Sequence, residues 1–355
     1  MKILIVKLSS IGDIIHTLPA LAAIRRALPG AEMSWAAETR SAEILRGNEL
    51  LKNLIEIDTR SLRGGGRIIE EILLDAGRQI KNLRVSDFDI ALDFQGLFKS
   101  AGIAKLSRAK HRFGFDRENL REPASRFLLT DTIAVEKGIH VIRKNLTLAE
   151  KALNINVPSE KFEFPVFTDE AHKKEAGQII EQANRDFAIL NPAGGWETKL
   201  WGAENYGRLA DRLWKEMGLF SIVVTAPNEV ELAERVLQAN KTGRIFHAAP
   251  TLKGFYELAK RARVYVGGDT GPTHLAVAAG APVVGIFGPT EWWFNGSPNA
   301  ADICVERTDL DCRIGCNRRK IGSWKKGECG NWVCMNIAVE TLFDAVQKRI
   351  TTSKR

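Results

Sequence analysis

Short apolar runs alternate with longer amphipathic stretches along nearly the whole chain. Residues 2–6, 33–37, 54–57 and 89–93 are compact, largely apolar segments bounded by charge or turn residues, which predicts strands buried on both faces. Between them the apolar period lengthens. Leu18, Leu21, Ile24 and Leu28 recur at helical spacing; Pro19 suits a first turn, Pro29-Gly30 is a stop, and Asp13 falls on the preceding loop or at the very start of the helix. Residues 41–46 and 68–83 are predicted helical, and 94–100 turns from a strand into a helix. Residues 159–169 are polar, with Pro158 and Pro165 nearby, and are predicted to link two domains. The pattern then restarts, with strands at 187–191, 221–225, 264–266 and 283–287 and helices at 206–217, 229–240 and 252–261. A last amphipathic helix at 336–349 carries Val339, Leu342, Phe343, Val346 and Ile350 on one face, before a tail at 351–355. Strand alternating with helix predicts an α/β protein with parallel, doubly wound sheets. The division expected is 1–165, 166–335 and a closing helix with tail at 336–355.

Composition narrows the function classes. The 355 residues are 45% hydrophobic, enough for two cores, and Lys plus Arg exceed Asp plus Glu by 51 to 43, a net +8. That excess suits an anionic partner such as a sugar nucleotide, a phosphorylated lipid or nucleic acid, but no nucleic-acid module motif is present. The amino-terminal apolar core is too short for a secretory signal, and no run reaches the length of a membrane span. A cytoplasmic protein is expected, with contact at a membrane surface left open. Cys312, Cys316, Cys329 and Cys334 cluster late, in a Cys-rich loop expected over 304–334. A reducing compartment disfavours disulfides, so the four thiolates are candidates for a structural Zn or Fe site. Their spacing departs from CxxC pairs, so a reduced loop-packing cluster or a labile disulfide stays equally open; Cys304 stands apart, as a structural residue.

The segment 264–290 carries the clearest chemistry. A buried strand runs into Gly267-Gly-Asp-Thr-Gly271, then into a helix kept thin by Ala276, Ala278, Ala279 and Gly280, then into a second buried strand. Free N–H groups and the positive helix end at such a turn attract phosphate. Thr270 and Gly271 can donate backbone N–H groups there. No G-x-G-x-x-G follows the first strand, which argues against a dinucleotide oxidoreductase.

Five ordered motifs carry a resemblance. Lys7-Leu-Ser-Ser-Ile-Gly-Asp-Ile-Ile-His-Thr-Leu-Pro-Ala-Leu21, Asp93-Phe-Gln-Gly-Leu-Phe-Lys-Ser100, Arg121-Glu-Pro123 with His140-x-x-Arg143, Asn191-Pro-Ala-Gly-Gly-Trp-Glu-Thr-Lys-Leu-Trp201 and the segment 268–289 resemble the ADP-heptose–lipopolysaccharide heptosyltransferases of glycosyltransferase family 9, especially the type that adds the first heptose. The resemblance implies a GT-B fold, two Rossmann-like domains facing across a cleft. It also implies an inverting glycosyltransferase that moves L-glycero-D-manno-heptose from ADP-heptose to Kdo of lipid A in lipopolysaccharide inner-core biosynthesis. The place of action would be the cytoplasmic face of the inner membrane.

The resemblance also implies roles. Asp13 would take the proton of the attacking hydroxyl, although an Asp after a Gly also suits a helix N-cap. Lys199 would meet the leaving diphosphate. Gly194, Gly195, Glu229, Asp269, Thr270, Gly271, Pro272 and His274 would bind the donor, Glu229 through the ribose hydroxyls. Lys7, Ser9, Ser10, Gly12, Lys99 and Arg121, with Arg60 and Arg63 of the basic loop 60–67, would face the acceptor, whose carboxylates and phosphates suit arginine. No Asp-x-Asp metal motif lies near the donor segment, so no cofactor is expected for catalysis. The cysteine cluster is the main departure from the simplest enzymes of this type. It leaves open a different acceptor, either a later core heptose or a protein. A sugar-nucleotide epimerase lacks support from the 7–13 opening, and a nonenzymatic scaffold is disfavoured by the intact Asp13 and Lys199.

Overall fold

The computed structural model describes residues 1–58, 77–84, 86–157, 162–310 and 333–352. The chain divides into two compact units, Met1–Phe167 and Thr168–Arg355. In the first unit, β1 (Lys2–Val6), β2 (Glu32–Glu38), β3 (Asn53–Ile57), β4 (Ile90–Asp93), β5 (His111–Phe115) and β6 (Asp131–Ile133) form one sheet in the order β3-β2-β1-β4-β5-β6. Every pairing is parallel, and Val6 sits beside Ala36 on one side and Asp93 on the other. Ile3–Val6 of the central strand are fully buried, as strands covered on both faces must be. Strands β5 and β6 are not legible in the hydrophobic pattern: His-Arg-Phe-Gly-Phe and Asp-Thr-Ile are short, polar in part, and lie toward one edge of the sheet.

The helix expected through Leu28 is two helices, α1 (Ile11–Ile15) and α2 (Leu18–Ala27), broken at His16 and Thr17. Pro19 accounts for the break. It donates no N–H, and its ring would meet the carbonyl of Ile15 in a continuous helix. Groups freed by the break find partners. Thr17 Oγ1 donates to Asp13 O at 2.9 Å, and Asn145 Nδ2 donates to His16 O at 3.0 Å and Thr17 Oγ1 at 3.1 Å. The predicted helix over 41–46 is instead two single 3₁₀ turns, Thr39–Ser41 and Glu43–Leu45. The helices α3 (Phe98–Leu106) and α4 (Val141–Leu153) complete the covering layers.

The second unit repeats the plan. Strands β7 (Phe187–Asn191), β8 (Phe220–Val224), β9 (Ile245–Ala248), β10 (Val264–Gly268), β11 (Val283–Phe287) and β12 (Ile303–Glu306) pair in parallel in the order β12-β11-β10-β7-β8-β9. The sheet does not end at 287, as the apolar pattern suggests; β12 adds an outer strand that carries Cys304, and β9 lengthens the opposite edge. Helices α5 (Glu170–Ala183), α6 (Ala203–Met217), α7 (Val230–Ala239), α8 (Leu252–Ala259), α9 (Gly271–Ala278), α10 (Trp292–Asn295) and α11 (Val339–Thr352) surround it. Leu342, Phe343, Val346 and Ile350 of α11 join the main core of this unit. A buried ion pair, Arg349 Nε to Asp302 Oδ1 at 2.7 Å, and a bond from Trp201 Nε1 to Ile337 O at 2.8 Å fasten that end of the chain. Among the described residues, no helix is long and apolar enough to cross a membrane.

In both units the first strand lies beside the fourth, so β1/β4 and β7/β10 are the places where the strand order reverses. Open α/β sheets bind ligands beyond the carboxyl ends of such strands.

Candidate active site

At the β1/β4 reversal of the first unit, Lys7 follows β1 and is nearly inaccessible. Its Nζ donates to Phe94 O at 2.8 Å and lies 3.7 Å from Asp13 Oδ1. Asp13 is the third residue of α1, one turn past the strand. Its Oδ2 accepts the Ser10 N–H at 2.9 Å and the Ser10 hydroxyl at 3.2 Å. Burial raises the pKa of Asp13, but the charges of Lys7 and Arg121 and the Ser10 N–H outweigh it and leave the carboxyl at about 2. Asp13 is therefore ionised at neutral pH while its side chain keeps 22% of its exposure. Burial lowers the pKa of Lys7, and Asp13 opposes that fall.

Gln95, which no local sequence signal marks as a site residue, builds this turn. Its Oε1 accepts the N–H groups of Leu8 (3.0 Å) and Ser9 (3.3 Å), and its Nε2 donates to Ser9 O at 2.6 Å. One side chain after β4 thus fixes the loop after β1. Asp93 holds Gln95 in turn, accepting its N–H at 2.9 Å and the Ser100 hydroxyl at 3.0 Å. Burial pushes Asp93 up to about 6 despite these bonds. Two further cations border the site. Arg121 is exposed. Lys144 of α4 donates to Asn119 O at 2.8 Å, sits 4.3 Å over the Phe115 ring, and is pushed down to about 8 by burial and by the charges of Lys7 and Arg121. Lys99 Nζ is bound to Glu38 Oε1 at 2.7 Å, and Gly12 is buried within α1. Arg60 and Arg63 lie outside the described residues.

At the β7/β10 reversal of the second unit, the turn after β7 runs through Gly194 and Gly195 to Lys199, the last residue of a 3₁₀ turn. Lys199 Nζ pairs with Asp269 Oδ2 at 2.7 Å, donates to Asp269 O at 3.2 Å, and lies 4.6 Å over the Trp196 ring. Asp269 directly follows β10. Its Oδ1 meets His274 Nε2 at 3.2 Å and accepts Asn295 Nδ2 at 2.9 Å. Burial raises this carboxyl, but the His274 bond and the Lys199 charge hold it far below the usual carboxylate range. Thr270 caps α9 in extended conformation, and Gly271 and Pro272 are its first two residues. The adjoining Thr273 hydroxyl bonds Gly268 O and the Tyr265 hydroxyl, fixing the strand-to-helix turn. Glu229 lies past β8, where its Oε2 accepts the Ala226 N–H at 3.0 Å.

These residues fall into two groups, and each group is brought together inside its own unit. Cys312, Cys316 and Cys329 lie outside the described residues; Cys334 is buried, with its sulfur near Gly288. Among the described residues, no group of three or more His, Cys, Asp or Glu side chains is arranged to hold a metal.

The pattern described as glycosyltransferase family 9 (heptosyltransferase) matches residues 76–321, more than half of the chain. Lipopolysaccharide heptosyltransferase 1 of Pseudomonas aeruginosa is 28% identical over 313 residues, covering 88% of this chain and 85% of that protein. The protein of the same name from Escherichia coli is 26% identical over 296 residues, covering 82% and 89%. Among solved structures, E. coli heptosyltransferase WaaC with ADP superposes with a TM-score of 0.74 at 24% identity, covering 86% of this chain and 92% of that one. A glycosyl transferase family 9 protein from Veillonella parvula gives 0.81 at 19% identity, covering 99% and 97%. These likenesses assign the two Rossmann-like units to the GT-B class. The chain belongs to glycosyltransferase family 9, the heptosyltransferase family.

Proposed function

We propose that this glycosyltransferase moves L-glycero-D-manno-heptose from ADP-heptose to Kdo of lipid A, in the inner core of lipopolysaccharide, with inversion at the transferred carbon. The relatives named above support the heptose and the inner core. Two solved structures of E. coli WaaC hold ADP and ADP-2-deoxy-2-fluoro heptose, respectively. The observation that carries the reading is Asp13, a carboxylate kept ionised beside Lys7 at the strand-order reversal of the first unit.

In this reading the second unit binds the donor and the first unit the acceptor. The acceptor hydroxyl oxygen attacks the anomeric carbon of the heptose, the bond from that carbon to the diphosphate oxygen breaks, and ADP leaves with the electron pair. Asp13 receives the hydroxyl proton. With a pKa of about 2 it is a weak base, so the proton moves only after the new C–O bond has largely formed and the oxygen has become acidic. Lys199 and the first N–H groups of α9 meet the charge growing on the leaving diphosphate. Glu229 keeps lone pairs for the ribose hydroxyls. Lys7, Arg121 and Lys144 suit the carboxylate of Kdo and the phosphates of lipid A, which would place the protein against the inner face of the inner membrane. The test is ADP release from ADP-heptose with Kdo–lipid A present or absent. The expected result is acceptor-dependent release with one heptose added to the lipid by mass spectrometry. Donor binding without release would turn the search to other acceptors.

A further inference from the structure

Helix α3 is sorted against the usual rule. It buries its small residues, Ser100, Ala101 and Ala104, and turns Phe98 and Leu106 outward at 54% and 43% exposure. Gly102 lies midway between Phe98 and Leu106, and helical spacing puts all three in one outward stripe. The 3₁₀ turn Pro123–Leu128 packs beside this helix and repeats the arrangement: Ser125 is fully buried, and Phe127 is 74% exposed. Glu122 ties the two elements together, its Oε2 accepting the Phe98 N–H at 2.5 Å. Seven large apolar side chains are exposed among the described residues, and three of them lie on these two adjoining elements. Scattered singly they would need no explanation; gathered on neighbouring elements they mark a surface made to be covered.

The charges around them point to what covers it. Lys105 on α3 is exposed, and so are Arg121 and Arg126, with the Arg126 guanidinium 4.8 Å over the Phe127 ring. An apolar stripe with lysine and arginine beside it fits an anionic bilayer: acyl chains take up aromatic and leucine side chains, and lipid phosphates meet the cations. A bilayer demands no shape fit, which suits a side chain as exposed as Phe127. The face is also continuous with the Asp13 site. Glu122 N donates to Gly96 O at 3.4 Å, in the turn after β4, and the charge of Arg121 acts on both Lys7 and Asp13. We propose that α3 and the turn Pro123–Leu128 form the surface by which the first unit docks on an anionic phospholipid bilayer. Phe98, Leu106 and Phe127 enter the headgroup region, and Lys105, Arg121 and Arg126 meet lipid phosphates. Docking there brings the Asp13 site to the membrane that carries the acceptor, so the argument rests on the lipid-borne acceptor of the reading above.

Flotation of the full chain with vesicles that contain no acceptor tests the surface apart from the reaction. The unsubstituted protein should bind vesicles of phosphatidylethanolamine and phosphatidylglycerol, bind phosphatidylcholine vesicles about ten-fold more weakly, and be released by salt. Leu106→Ser together with Phe127→Ser should weaken binding to the anionic vesicles by on the order of ten-fold, and Arg126→Gln by about five-fold. Neither change should alter ADP release with an acceptor stripped of its acyl chains, which, with an unchanged circular dichroism spectrum, reports that the variants are folded. Release with the acceptor embedded in vesicles should fall with binding. No binding by the unsubstituted protein, binding indifferent to lipid charge, or undiminished binding by the double variant overturns the surface. Loss of a dimer in the double variant, seen by light scattering with vesicle binding intact, overturns it too, because the face then belongs to a second copy. Absence of ADP release with either form of the acceptor overturns the heptose-transfer reading instead, and flotation still decides the surface.

Discussion

Asp13 and Asp269 stand at corresponding strand-order reversals of the two units, and they are held in opposite ways. Asp269 is saturated: Lys199, His274 and Asn295 all bind its carboxylate, and only 7% of its side chain is exposed. Asp13 is bound by the N–H and hydroxyl of one residue, Ser10, with Lys7 standing off at 3.7 Å and 22% of its side chain exposed. Both are ionised at neutral pH. A carboxylate surrounded by tight donors has its lone pairs committed and serves to hold other groups in place. One kept charged with lone pairs to spare can take a proton. The difference suits Asp269 to orientation and, in the reaction proposed above, Asp13 to proton transfer.

The sharpest way to break that contrast is Asp13→Ala. It should lower kcat by about 10²–10⁴-fold and leave ADP-heptose affinity within a few-fold. Near-normal turnover would end the assignment. Because Asp13 titrates at about 2, any fall in kcat/KM between pH 8 and pH 5 should come from another group.

Next in size is the pair of lysine replacements. Lys199→Met leaves Asp269 buried with only His274 and Asn295, and should lower the unfolding free energy by about 3 kcal/mol. Lys7→Met leaves Asp13 partly solvated and removes a buried ammonium, so its stability loss should be clearly smaller while activity still falls. Chemical denaturation of both variants measures the difference, and equal losses would erase the contrast between the two carboxylates.

A third prediction concerns Asp93. Its folded pKa, about 6, lies above its unfolded value, so the folded state binds more protons than the unfolded one between about pH 4 and pH 6, and stability falls as pH rises through that window. Asp93→Asn removes the charge and can keep the bonds to Gln95 and Ser100. It should stabilise the protein by about 1–3 kcal/mol at pH 8 and by little at pH 4. The smallest effect expected is at Lys144. Its ammonium is present below about pH 8 and lost above it, so the KM for an anionic acceptor should rise a few-fold from pH 7 to pH 9, and Lys144→Met should flatten that rise without touching the donor KM.

The sequence displays some of these features and hides others for physical reasons. Buried parallel strands such as Ile3–Val6 and Val283–Phe287 announce themselves because both faces must be apolar. The turn at Gly267–Gly271 is legible because its glycines and the following helix are local. Strands β5, β6 and β9 are not, since short strands at or next to a sheet edge admit polar residues and rely on a neighbour's ladder rather than on their own pattern. Asn145, Gln95 and Asn295 escape for a different reason. Each acts on a group at least 26 residues away, and polar residues of that kind are ordinary loop or helix choices until the fold closes. Pro19 was visible throughout, but whether it opens a helix or divides one depends on Asn145 being there to accept the consequence.

The fastening of α11 has a bearing on how the protein is made. The first unit is complete in sequence by Phe167, so its sheet can close while the rest of the chain is still being synthesised. The second cannot. Its core takes in Leu342, Phe343, Val346 and Ile350, and the carboxylate of Asp302 is buried against Arg349, 47 residues later. Until that stretch leaves the ribosome, the second unit carries an uncovered apolar face and a carboxylate without its cation. Synthesis therefore imposes an order: the first unit is ready early, and the second becomes complete only when nearly the last described turn of helix has emerged.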